Sequence, residues 1–349
     1  MWQRKSSRYS LSVIVGCTAL VVVLAGSRRM DWEGVMAWCG VERWSVKMGT
    51  DADSGKVNVN SPQASTIAAM GGWPAQANPP ANNRVSPYET TAWTLTATLV
   101  EYKAEDDEDT HLVLSDSAGH TMIAEIPAPH CVGSASPFLA GITNAYSQFR
   151  AHYAPSGSFQ TANVLVRITG VGMFDFAHGQ TGAAPNQIEL HPVIDIQFFR
   201  TVAGTVSLEQ IDPTHQNQPV NFEFRPAAGG AAFTRTQTLT GSGGFSFTDI
   251  PAGSHNLAIN GPKWLRSVYP VNVTNANVTN LSAALSGGDA NGDNSVDSTD
   301  FEILIGAFNT DASVPGSGYD ATADFNCDGF VDSTDFGLFI GDFNTMGAN

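Results

Sequence analysis

Oxygen-bearing side chains recur with one fixed spacing twice near the C-terminus. In the first stretch they stand at loop positions 1, 3, 5, 9 and 12, as Asp289, Asn291, Asp293, Asp297 and Asp300. Thirty-five residues later the same positions hold Asp324, Asn326, Asp328, Asp332 and Asp335. Ser295 and Phe330 fall at position 7, where only a backbone carbonyl is required. Ligands on alternate residues of a tight loop turn inward around one ion, and calcium takes six to eight oxygens at roughly 2.3–2.6 Å. The chemistry expected is therefore the binding of two Ca2+ ions, one per loop.

Position 6 of such an EF-hand-like loop needs a sharp turn. Gly329 meets it in the second copy; the first has Asn294, which tolerates the left-handed region better than most residues. Position 12 is Asp in both copies, a shorter reach than the commoner Glu. Each loop runs into apolar residues at helical spacing: Phe301, Leu304, Ile305 and Phe308, then Phe336, Phe339, Ile340 and Phe343. Loop then helix, duplicated from about Gly287 to Phe343, with the Gly288-Asp-Ala-Asn-Gly-Asp293 opening and the connecting Gly318-Tyr319-Asp320, resembles a type I dockerin. The resemblance implies a small α-helical calcium-binding domain whose partner is a cohesin-like protein domain. It also implies that Ser298-Thr299 and Ser333-Thr334, at positions 10 and 11, help to dock that partner. The pairs are identical, so either half would present the same surface. The basic pair common in the family's helices is absent, with Gly306, Ala307, Gly341 and Asp342 in its place.

A second set of polar residues lies in mid-chain: His111, Asp175, His178, Glu189 and His191. Glu189 and His191, two apart on one strand, face the same side, and imidazole with carboxylate suits a transition metal or acid/base chemistry. A metal-assisted hydrolase site is one reading; the other is that these residues hydrogen-bond loop backbone and close the mouth of a barrel. No Gly-x-Ser-x-Gly elbow, HExxH or phosphate loop is present, and no pair of carboxylates suits glycoside hydrolysis.

The elements around that set read as three strands, a helix and two strands. Trp93, Leu95, Ala97 and Leu99 alternate with threonines, and His111–Leu114 and Thr121–Ile126 follow as strands. Phe138, Ile142, Ala145, Phe149 and Tyr153 share a helical face; strands at Asn163–Val171 and Ile188–Phe199 complete the set. This is the order of an OB-like five-stranded barrel with one helix. The same stretch resembles a family of bacterial secreted or surface proteins, through Asp109-Thr-His111, Glu125-Ile-Pro127, Phe174-Asp175, His178-Gly-Gln180 and Glu189-Leu-His191. From Thr201 short strands recur at the spacing of a β-sandwich, divided by Gly229-Gly230, Gly241–Gly244 and Pro251–Gly253. Gly204-Thr-Val206, Gly244-Phe-Ser-Phe247 and Ile250–Gly253 resemble the prealbumin-like modules of carboxypeptidase regulatory domains, which implies a spacer or adhesion unit. An exposed Trp264 would suit stacking on a sugar ring; burial in the sandwich is the expectation.

At the N-terminus Arg4, Lys5 and Arg8 precede an apolar run from Leu11 to Gly26, the pattern of a secretory signal, or of a membrane anchor if uncleaved. The residues that follow show no sustained period and are rich in Ala, Asn, Gly and Pro, which predicts a linker or poorly ordered leader. Cys17, Cys39, Cys131 and Cys327 show neither metal-site spacing nor a disulfide framework. The net charge of -16 is concentrated at the C-terminal end: residues 287–349 hold twelve carboxylates and no lysine, arginine or histidine. Acidity, with only sparse Lys103, Arg150 and Arg167 in the barrel, argues against nucleic-acid binding.

The expected organisation is multidomain and mainly β: signal peptide 1–27, leader 28–87, OB-like barrel 88–200, β-sandwich 201–286 and dockerin-like domain 287–349. The expected function is attachment of a secreted or cell-surface bacterial protein to a cohesin-like partner. The alternatives are an extracellular hydrolase acting on polysaccharide, or a carbohydrate-binding adhesion protein.

Overall fold

The computed structural model describes residues 29–30, 36–37, 39–40 and 42–349, apart from 178, 210 and 212. The expected signal peptide and the candidate His178 lie outside the described residues. Among the described residues no helix is long and apolar enough to cross a membrane.

From residue 42 onward the expected leader is ordered instead, and packs on the barrel. It forms α1 (Trp44–Lys47) and α2 (Ile67–Gly71), the latter capped by the Thr66 side chain. Two buried ion pairs hold it. The Arg43 guanidinium meets Glu89 at 2.6 and 3.0 Å and donates to the carbonyls of Pro80, Asn83 and Phe174. Arg84 meets Asp51 at 2.8 and 3.1 Å and donates to the Val46 carbonyl. A disulfide joins Cys39 to Cys131, 92 residues apart, and Trp73 packs between Tyr88 and Trp93 with ring centroids 4.8 and 4.9 Å away. Composition misses this segment because its order comes from long-range pairing rather than from any local period.

Five strands follow: β1 (Ala92–Ala104), β2 (Thr110–Ser115), β3 (Thr121–Ile126), β4 (Gln160–Phe174) and β5 (Ile188–Leu208). β1 pairs antiparallel with β2 and β4, β2 with β3, and β4 with β5. β3 meets β5 in parallel at Ala124 and Leu190, which closes the ring. Period-2 alternation sends Leu95, Ala97, Leu112, Leu114, Ala124 and Leu190 into one buried cluster. Between β3 and β4, α3 (Leu139–Arg150) buries Ile142, Ala145 and Phe149 on one face.

β5 does not stop at the boundary expected near residue 200. Its second half pairs with β8 (Gly244–Pro251) and, in parallel, with β11 (Val278–Leu285). A second sheet, in the order β7 (Phe233–Thr238), β6 (Pro219–Pro226), β9 (Ser254–Gly261), β10 (Trp264–Asn272), packs over this one. Val206, Phe222, Phe224, Leu257 and Trp264 share the core between them, so Trp264 is buried, as expected.

At the C-terminus α4 (Ser298–Gly306) and α5 (Ser333–Asp342) each begin with a capping box, Asp297 with Asp300 and Asp332 with Asp335. The two halves interlace. Ser295–Val296 of the first loop pairs with Thr345–Met346 after α5, while Phe330–Val331 of the second pairs with Thr310–Asp311 after α4. Leu304, Phe325, Val331 and Phe339 pack with Leu265 of β10, so the sandwich supplies part of this small core. The apolar residues at helical spacing divide. Leu304 and Phe339 are buried, but Phe301, Ile305, Phe308, Phe336, Ile340 and Phe343 stay on an open face because two short helices cannot enclose them all.

Candidate functional site

In each C-terminal loop the first and last carboxylates are buried and the others ring the opening. Asp289 accepts backbone N–H groups of Gly292, Asp293 and Asn294, which curls the loop around it. Asp300 accepts from Asn291 N at 3.0 Å and Asp297 N at 2.9 Å, so one side chain both closes the loop and caps α4. Asp324 and Asp335 repeat these roles in the second loop. The turn at position 6 is left-handed in both, with φ 74° at Asn294 and 89° at Gly329. Burial, followed by neighbouring carboxylates, pushes the Asp289 and Asp335 carboxyls above their ordinary range. Four carboxylates per loop with no cationic side chain in residues 287–349 form a donor set that fits a hard divalent cation.

The docking candidates Ser298, Thr299, Ser333 and Thr334 are all exposed at the helix starts. The Thr299 hydroxyl donates to Asp297 and accepts from Asn291 Nδ2, which joins the exposed pair to the loop. Beside them the aromatic rings of the two helices meet, Phe301 lying 5.6 Å from Phe339 and 6.3 Å from Phe336 between centroids.

In the barrel, His111, Glu189 and His191 come together on the outer face of β2, β3 and β5, roofed by α1 and the chain near Thr181. Asp175 is buried nearby, with one oxygen unpartnered. Three further members are Asp109, Glu125 and Lys47. Asp109 and Glu125 sit inside the motifs that mark the barrel, and Glu125 lies between the core residues Ala124 and Ile126, a signal available to sequence reasoning. Lys47 arrives from α1.

His111 Nδ1 lies 3.1 Å from Glu125 and Nε2 3.1 Å from the Thr181 carbonyl; two acceptors require the imidazolium. His191 Nδ1 lies 2.9 Å from Glu125 and 3.2 Å from Glu189, and Nε2 3.2 Å from Asp109. Burial pushes Asp109 up to about 6 and Glu189 up to about 7. Glu125 is held well below its ordinary value: burial opposes this, but His111 and His191 outweigh it. Burial likewise opposes the upward shift of His191, which its three carboxylate neighbours impose. Every described member of this cluster is buried.

A duplicated acidic loop and helix, interlaced as a pair, is thus seated against the β-sandwich. Residues 287–344 match the dockerin type I domain, and this part of the chain is such a domain, of a calcium-binding family. Two solved structures are similar, both interface mutants of a type II cohesin–X–dockerin complex from Acetivibrio cellulolyticus. The N-terminal interface mutant is 18% identical and the C-terminal one 21%, each with a TM-score of 0.35, covering 42% of this chain and 97% of that chain. No curated protein matches.

Proposed function

We propose that the protein is an exported attachment protein, which uses its C-terminal dockerin, loaded with two calcium ions, to bind a cohesin-like partner. Asp289, Asn291, Asp293, Asp297 and Asp300 hold one ion together with the Ser295 carbonyl. Asp324, Asn326, Asp328, Asp332 and Asp335 hold the other with the Phe330 carbonyl. Calcium neutralises carboxylates that otherwise repel one another, and so fixes the helix starts that carry Ser298-Thr299 and Ser333-Thr334. The observation that carries this reading is the pairing of two interlaced loops with an apolar face left open beside exposed hydroxyls. The OB-like barrel and the sandwich are then what is attached, outside the cell or at its surface. A polysaccharide hydrolase in the barrel would need reacting groups that meet substrate, and among the described candidates His111, Asp175, Glu189 and His191 are buried. A sugar-stacking role for Trp264 meets the same obstacle.

The test is calorimetric titration of calcium into the full chain, followed by capture on immobilised cohesin domains. Two equivalents of calcium and calcium-dependent capture, lost in the Asp300→Ala, Asp335→Ala double variant, are expected. No calcium uptake, or capture indifferent to calcium, refutes the proposal.

A further inference from the structure

We propose that Asp109 and His191 hold one divalent transition-metal ion in a buried site backed by Glu125 and Glu189, separate from the calcium loops. Asp109 is 1% exposed and His191 0%, yet neither Asp109 oxygen nor His191 Nε2 has a hydrogen-bond partner. Orphaned polar atoms in an interior cost about 1–3 kcal/mol each, so three in one place call for a ligand. Asp109 Oδ2 and His191 Nε2 stand 3.2 Å apart without the alignment of a hydrogen bond. That is the separation of two ligands each roughly 2.0–2.2 Å from one ion, at an angle near 100°. Ligand atoms of Asp109, Glu125 and His191 all lie within 4.8 Å of one another.

The outer shell is suited to the same task. A carboxylate on Nδ1 of a histidine keeps the proton there and turns the Nε2 lone pair toward a metal. Glu125 and Glu189, 2.9 and 3.2 Å from His191 Nδ1, supply that carboxylate. Four buried carboxylates, Asp109, Glu125, Asp175 and Glu189, also gather around Lys47, so the surroundings favour a cation. An imidazole with carboxylates selects zinc, cobalt or manganese over calcium, which takes oxygen ligands alone.

Cobalt(II) is the probe. It is titrated into the full chain in excess calcium, so that the C-terminal loops are already filled, and followed by its visible absorption and by the melting temperature of the barrel. One equivalent is expected to bind and to raise that temperature. Asp109→Asn should abolish both effects, and Glu189→Gln should weaken binding about 10–100-fold, as for an outer-shell carboxylate. His120→Gln, which removes an exposed histidine paired with Asp116, should leave binding unchanged. If Asp109→Asn does not fold, the wild-type chain decides: no cobalt spectrum and no rise in melting temperature overturn the proposal. A spectrum that persists in folded Asp109→Asn, or vanishes in His120→Gln, overturns it equally.

Discussion

Glu89→Ala tests whether residues 42–91 belong to the barrel. The Glu89 carboxylate is fully buried and accepts four hydrogen bonds: from Arg43 at 2.6 and 3.0 Å, Val85 N at 2.6 Å and Phe174 N at 2.7 Å. Its removal leaves a buried guanidinium without its counter-charge, a loss of about 3–5 kcal/mol. Two backbone N–H groups are orphaned as well, at about 1–3 kcal/mol each, overlapping in part with the first figure. A total near 5 kcal/mol, at about 2–4 °C per kcal/mol for a unit of this size, lowers the barrel transition by about 10–20 °C. Scanning calorimetry of the full chain in excess calcium reads this directly. Lys56→Ala is the control. It breaks a 2.7 Å pair with Asp53 whose lysine is 66% exposed, so it should cost under about 1 kcal/mol. A drop of less than about 2 °C in Glu89→Ala would refute the packing argument.

Three further outcomes follow from the same structure. Reduction of Cys39–Cys131, which closes a loop of 92 residues, should cost about 4.6 kcal/mol on the chain-entropy account, seen as a lower barrel transition in dithiothreitol. Burial, and then a hydrogen bond with Glu209, push Asp342 up to about 6. A folded-state pKa above the ordinary 3.8 means that the folded form binds the proton more tightly. Stability of the C-terminal module should therefore fall as pH rises from about 4 to 6, and Glu209→Gln should flatten that slope in calcium-free melts. Lys263 donates from the sandwich to the Ala321 and Asp324 carbonyls at the second loop. Lys263→Met should weaken calcium binding there relative to the first loop, by calorimetry.

What the sequence disclosed depended on how local the information was. The cation loops were legible because ligand spacing within twelve residues defines them, and the capping boxes fall on the same aspartates. The strands around β1 were legible from alternation, and Asn294 from its tolerance of positive φ. The order of residues 42–87 was not legible because Arg43 finds Glu89 across 46 residues and Arg84 finds Asp51 across 33, distances at which composition is silent. The barrel cluster was half legible. Glu189 and His191 announced themselves as near neighbours on a strand, whereas Lys47 joins only once the N-terminal segment folds over the outer face. The exposed positions of Phe301 and Ile305 were illegible for a different reason: helical spacing gives a stripe, not what the stripe faces.

The strand Ile188–Leu208 passes from barrel to sandwich without a break, and its far half lies parallel to Val278–Leu285, the last strand before the C-terminal module. The two units therefore have no swivel between them, and a body gripped at the C-terminal module holds the barrel at one fixed bearing. Tension between the module and the barrel acts on opposite ends of these two parallel strands. Their hydrogen bonds are then loaded together in shear rather than peeled one after another, so the joint resists drag along the direction in which a tethered protein is pulled.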